Sequence, residues 1–275
     1  MTAAADMLTT ATPERTSTYA EYHALPGARW SALNRLRVSP LYYLAHEESD
    51  ASHFREGRAF HSLVLGGEPV VRCDVRRVGK AWEEFQAAHE GAIILSPAEH
   101  ATHWGMAEGL DRSAPWRAIR ERISHREQIV QWTEGERAAK AMLDVCTHDG
   151  QLVDVKTARD VSPRAFGRAA GALGYHCQLA WYRRGYRARF GCSPSECLLV
   201  AVQKSPPYDV AVYRVTDSQL MVADIEIDKL LATLTKCEAS GEWPGCSPEI
   251  ADLELPAYAF DSAGLAEASL EGLGV

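Results

Sequence analysis

The sequence predicts a mixed α/β fold of the α+β kind: a central mixed β-sheet flanked by helices, with a helical N-terminal part. Three observations predict it. The first 120 residues repeat helix-start signals and offer only one short strand pattern. From residue 125 to 157 the pattern switches to alternation rich in β-formers. Beyond that, two helical stretches, two strands and a long helix follow in order, as in a sheet flanked by helices.

The elements follow from local chemistry. Residues 1–18 lack a basic region followed by an apolar one, so they are expected to be a disordered lead and not a secretory signal. Ser31 is expected to cap a short helix, SALNRLRV. SPLYYLAHEE, from Ser39, has a serine cap, a proline at the first helical position and an apolar face. GRAFHSLVLG is a helix closing at Gly66, PVVRCDV a short strand, and KAWEEFQAAHE an amphipathic helix. SPAEHATHWGMAEGL repeats the Ser-Pro start. Three strands are expected next: HREQIVQWTE (125–134), ERAAKAMLDVCT (136–147) and QLVDVKT (151–157), the last two joined by a turn at Asp149-Gly150. SPRAFGRAAGAL and GYHCQLAWYRRGYRARF are helical, the second closing at Gly191. SECLLVAVQK and YDVAVYRVT are strands split by Pro206-Pro207. A long helix begins at Asp217, read as its cap. Residues 19–260 are expected to form one domain, with 261–275 a flexible acidic tail.

Composition excludes several classes. A hydrophobic fraction of 46% and a charged fraction of 24% over 275 residues exclude a disordered or collagen-like chain. Apolar runs such as Leu198–Val202 fall far short of the roughly 20 residues of a membrane helix, so no membrane partner is expected. The seven cysteines (73, 146, 177, 192, 197, 237 and 246) are scattered with no CxxC, which points to a reducing compartment, not to disulfides or a metal cluster. Net charge is −8, which taken globally argues against a polyanion ligand. Its distribution argues the other way. Lys156 to Arg189 holds eight basic residues and one acid, whereas Asp217 onward holds twelve acids and two lysines. Local potential steers a polyanion.

The middle strands carry the chemistry. Alternation sets Asp154 and Lys156 on one face of LVDVKT, with Val153 and Val155 on the other. By itself this is a common surface ion pair. The preceding strand adds Asp144, and turn length decides where it lies. A two-residue loop at 149–150 would pair 145 with 154 and turn Asp144 away. A three-residue loop, 148–150, pairs 147 with 151 and 144 with 154, and THDGQ suits this second case, with Gly150 left-handed. Asp144 and Asp154 are then expected side by side. Two carboxylates in close register repel unless a cation neutralises them, and Mg²⁺ takes one or two such oxygens. Lys156 on the same face could orient or help deprotonate water, or stabilise charge on a phosphate. This arrangement suits phosphodiester hydrolysis, and no G-x-S-x-G or P-loop competes. On the next helix Gln178 and Tyr182 share one face, with Tyr175 and Tyr186 in line. At least one of these tyrosines is expected to be core.

Asp144, then D-V-K at 154–156, then Q-x-x-x-Y at 178–182, resembles the PD-(D/E)XK nuclease superfamily, within its RecB and lambda-exonuclease-like branch. The likeness is strongest to RecE-type exodeoxyribonucleases (exonuclease VIII) and their phage relatives. YHALPG, SPLYYL, GRAFHSLVL, LVDVKTARDVSPRAF, GYHCQLAWYRRGYRARFG and WPGCSPEIADLELPAY carry it, from about residue 19 to 260. The resemblance implies a restriction-endonuclease-like core. It implies metal ligands at His61, Asp144, Asp154 and the Val155 carbonyl, for Mg²⁺ or alternatively Mn²⁺. It implies catalytic roles for Asp144, Asp154, Lys156, Gln178 and Tyr182, with Glu127 assisting. Arg164, Arg168, Arg183 and Arg187 are the expected DNA contacts. The implied activity is 5′→3′ degradation of linear double-stranded DNA from an end, in phage-type recombination or repair. Implied partners are DNA ends, a single-strand annealing protein and further copies in a homo-oligomeric ring, all in the cytoplasm. An endonuclease of the same fold, or an inactive DNA-binding relative, is the alternative. The usual proline before the first aspartate is Leu143 here.

Overall fold

The computed structural model describes residues 19–46, 52–247 and 249–255, with side chains of 52–55 excepted. The expected lead (1–18) and tail (261–275) lie outside the described residues. Helices α1 (Tyr19–Ala24), α2 (Trp30–Leu33), α3 (Pro40–Ala45) and α4 (Ser52–Leu65) open the chain, with a 3₁₀ turn over Asn34–Arg37. Strand β1 (Val70–Arg72), α5 (Lys80–Ala88), β2 (Ile93–Leu95), α6 (Pro97–Arg112) and α7 (Ala114–Arg120) follow. The core then runs β3 (Ile123–Glu134), β4 (Arg137–Thr147), β5 (Gln151–Ala158), α8 (Pro163–Leu173), α9 (Tyr175–Phe190), β6 (Glu196–Gln203), β7 (Val210–Val215) and α10 (Asp217–Ser240).

Strands β3 to β7 form one mixed sheet in sequence order. All its pairings are antiparallel except β5 with β6, which α8 and α9 join as a crossover. Strand β5 is buried on both faces. Leu152 belongs to a core shared with α2, α9 and α10, and Val153 and Val155 to one shared with α4, α6 and α7. Strands β1 and β2 pair in parallel as a separate ribbon.

Caps follow the sequence signals with two corrections. Ser39 accepts from the Tyr42 N–H, and Ser96 forms a capping box with Glu99. Ser31 does not cap: it lies inside α2, whose N-cap is Arg29. Asp217 is the first helical residue of α10, and the cap is Thr216, closed by a capping box with Gln219. Thr216 comes from a strand, so its extended backbone is already set for capping. All seven cysteines are unpaired. Among the described residues, no helix is long and apolar enough to cross a membrane.

Candidate active site

The site begins with the turn between β4 and β5. Gly150 takes the left-handed region at φ +86°, and its N–H reaches the Thr147 carbonyl at 3.0 Å. The resulting register pairs Val145 with Val153 and Cys146 with Leu152, so Asp144 falls opposite Asp154. This is the three-residue-loop arrangement. The backbone ladder then stops, because Asp144 Oδ2 accepts the Val155 N–H at 2.8 Å. A carboxylate wedged there parts the two strands and leaves the Val155 carbonyl facing the gap. His61 Nε2, on α4, occupies that carbonyl at 2.9 Å.

A third carboxylate lies in the same row. Arg126 pairs with Val145 and Gln128 with Leu143, which sets Glu127 opposite Asp144. Glu127 is left-handed at φ +46°, a conformation that costs a non-glycine residue on the order of 1 kcal/mol. Glu127, Asp144 and Asp154 are 5%, 4% and 0% exposed. His61 Nδ1 stands 3.4 Å from Glu127 Oε1 and 3.7 Å from Asp144 Oδ2. Lys156 Nζ lies 2.9 Å from Asp154 Oδ1 and 2.7 Å from Oδ2.

Burying these groups shifts them strongly. Burial pushes Asp154 up to about 7, with Lys156 pulling against it and Asp144 adding to it. Burial also raises Asp144, opposed by His61 and Lys156. For His61 burial works downward, but Asp144 and Glu127 outweigh it and lift the ring to about 9. For Lys156 burial likewise works downward, yet Asp154 and Asp144 hold it above its ordinary value, so it is an ammonium. Burial, with Asp144 and Asp154 adding, drives Tyr182 well up.

The donor set fits a hard divalent cation. Donor atoms of His61, Glu127 and Asp144 lie within 4.8 Å of one another. Glu127 Oε1 is buried with no hydrogen-bond partner. Asp154 stands outside that trio, its oxygens turned to Lys156. One other donor group, His176, Cys177 and Glu226, meets the same distance limit among the described residues. It does not make a comparable centre. Arg37 Nε takes Glu226 at 2.6 Å, and burial with Glu226 pushes the Cys177 thiol up to about 12. That group ties α9 to α10.

The remaining expected residues divide. Gln178 Nε2 donates to the Tyr182 hydroxyl at 2.7 Å, and among the described residues neither bonds Lys156. The α9 side chain that meets Lys156 is Tyr175, whose ring centroid is 5.1 Å from Nζ. Its position three residues before Gln178 was the available signal. Tyr186 is core, 5% exposed. Arg164 and Arg168 are exposed on α8, one turn apart, and Arg187 is exposed with its Nε on Ser193 Oγ at 3.0 Å. Arg183 is placed differently from the expectation. It is 8% exposed and its guanidinium is taken by Asp224 at 2.5 Å and Asp217 at 3.6 Å, which draws it under α10 and away from any phosphate.

A mixed sheet whose central strands part over a carboxylate row, with a lysine two residues on, defines a nuclease-like core. Residues 32–255 match the family described as a PDDEXK-like domain of unknown function (DUF3799), and the chain belongs to that family. PDDEXK nucleases generally use divalent metals, in keeping with the donors described above. The crystal structure of a protein provisionally described as an exonuclease, from Eubacterium rectale, superposes with a TM-score of 0.57. The match covers 85% of this chain and 92% of that chain at 13% identity, a likeness of fold. A second solved structure reaches a TM-score of 0.29 at 10% identity, over 66% of this chain and 87% of that one, too distant to carry an argument. No curated protein matches the chain.

A cation entering this site must displace protons, since carboxylate and imidazole ligands bind in their deprotonated forms. Asp154 holds its proton up to about 7 and His61 to about 9. Affinity for Mg²⁺ is therefore expected to rise as pH rises through that interval. Calorimetry in two buffers of different ionisation enthalpy would measure the protons released, and a pH-independent affinity would count against these ligands.

Proposed function

We propose that this chain is a metal-dependent deoxyribonuclease that hydrolyses phosphodiester bonds of linear double-stranded DNA from an end. The observation that carries the reading is the buried row Glu127, Asp144 and Asp154 with the Lys156 ammonium beside it. Such a row is costly to bury without a compensating charge. His61, Asp144, Asp154 and the Val155 carbonyl would hold the cation, Mg²⁺ by preference and Mn²⁺ as the alternative, with Glu127 assisting. When bound, a divalent ion lowers the pKa of water and screens phosphate charge.

The chain's own residues do the rest. Lys156, kept protonated, stabilises the negative charge that builds on the phosphate. Asp144 holds the β4–β5 gap open through the Val155 N–H. Gln178 and Tyr182, bonded to each other, line the same side and offer polar atoms to the substrate backbone. Arg164, Arg168 and Arg187 contact flanking phosphates without reading bases. Replacing Arg164 and Arg168 together by alanine should weaken duplex binding and lower the salt dependence by about two counterions. An unchanged salt slope in filter binding would remove α8 from the DNA path.

The proposal extends to 5′→3′ polarity, to a ring of copies around the DNA and to a cytoplasmic role in phage-type recombination, where the single strand passes to an annealing protein. The resemblance to RecE-type enzymes supports these points. The test compares a linear duplex with a covalently closed circle of the same sequence. An end-dependent enzyme degrades the first and spares the second, whereas cutting of the circle would make it an endonuclease.

A further inference from the structure

We infer that Tyr175 is a positioning residue for Lys156, holding the ammonium on the face of its ring when Asp154 is engaged elsewhere. The kinetic part of this inference rests on the nuclease reading, and the geometric part stands without it.

Lys156 Nζ has two kinds of partner. One is Asp154, through both oxygens at 2.9 and 2.7 Å. The other is the Tyr175 ring, 5.1 Å from Nζ to the centroid and within cation–π range. Asp154 belongs to the carboxylate row. Any oxygen it gives to a cation is withdrawn from Lys156, and a buried ammonium without a partner is costly. A second carboxylate could not fill that role, because it would itself bind the cation. An aromatic face attracts an ammonium yet offers a hard, oxygen-seeking divalent ion no ligand atom.

The ring is also held in place. Tyr175 opens α9 directly after Gly174, which is left-handed at φ +71°. A Cβ at Gly174 would lie 2.8–2.9 Å from atoms of Arg37, Asn34 and Trp30, so the start of α9 is wedged against the N-terminal helices. Phe166 lies tilted beside the ring at 6.2 Å, and Tyr213 stacks on Phe166 at 5.3 Å. The Tyr213 hydroxyl is tied to the Val161 carbonyl. Tyr213, Phe166 and Tyr175 thus form one aromatic run that joins β7 and α8 to the start of α9. Among the described residues, the Tyr175 hydroxyl makes no hydrogen bond. The contact therefore needs the ring and not the hydroxyl.

The experiment compares Tyr175→Leu with Tyr175→Phe in the full chain. Leucine should lower kcat on a linear duplex about tenfold with KM nearly unchanged, and phenylalanine should restore the rate to within about twofold. A second readout needs no catalysis. In metal-free protein carrying ¹³C-labelled lysine, the Lys156 side-chain methylenes, assigned with Lys156→Met, should be shifted upfield by the ring. That shift should persist in the phenylalanine variant and vanish in the leucine variant. Full kcat in Tyr175→Leu, or equal losses in both variants, would overturn the positioning role, as would unshifted Lys156 methylenes in the parent chain. A parent chain without nuclease activity, but with the ring shift present, would overturn the nuclease reading and leave the contact standing.

Discussion

Asp154→Ala and Lys156→Ala should each lower duplex cleavage by about a thousandfold or more, while leaving DNA binding nearly unchanged. Asp154 is fully buried and the Lys156 side chain is 14% exposed, and together they form the ion pair at the centre of the site. Neither reaches the outer surface where Arg164 and Arg168 lie. The two substitutions should also be non-additive, because the groups act as one unit. Single-turnover cleavage beside filter binding measures both quantities. Persistent cleavage in both variants would show that the chemistry is done elsewhere.

The largest stability effect is expected at Lys140, away from the chemistry. It is 2% exposed, yet no carboxylate meets its Nζ among the described residues. Instead Nζ donates to the carbonyls of Leu25 at 2.6 Å, Tyr22 at 2.9 Å and His23 at 3.5 Å, and sits 4.7 Å from the Tyr22 ring centroid. Helix α1 ends there, so the lysine satisfies carbonyls that a helix terminus leaves open. The neighbouring backbone adds Ala28 N–H to the Ala138 carbonyl and Lys140 N–H to the Ala28 carbonyl, both at 2.8 Å. Lys140→Met keeps the volume and strips the donors. It should cost about 3 kcal/mol, from half-buried carbonyls that lose their charged donor. A melting temperature lowered by roughly 6–12 °C is the expected readout. A shift below 2 °C would mean that water replaces the ammonium.

The core was legible because its signals are local. The alternation in HREQIVQWTE and ERAAKAMLDVCT gave β3 and β4 to within two residues. THDGQ fixed the turn and so the register that aligns Asp144 with Asp154. What stayed hidden depends on contacts far along the chain. Strand β2 is three residues long and pairs with β1 across more than twenty residues, which no local period shows. Arg183 looked like a phosphate ligand because its partner Asp224 is 41 residues away. The left-handed backbone of Glu127 has no sequence mark at all. Two further features do have a local sequence mark. The Thr216-x-x-Gln219 capping box was in plain view, and Tyr175 stood on the face already assigned to Gln178 and Tyr182.

We propose that the Glu127, Asp144, Asp154 and Lys156 arrangement hydrolyses DNA with a divalent cation. The most direct measurement is digestion of a linear duplex labelled at its 5′ ends, with Mg²⁺, with Mn²⁺ and with chelator. The expected result is cation-dependent loss of the duplex, with the 5′ label released first, and none with chelator. Cleavage that survives chelation, or no cleavage with either cation by a folded, DNA-binding protein, would contradict it.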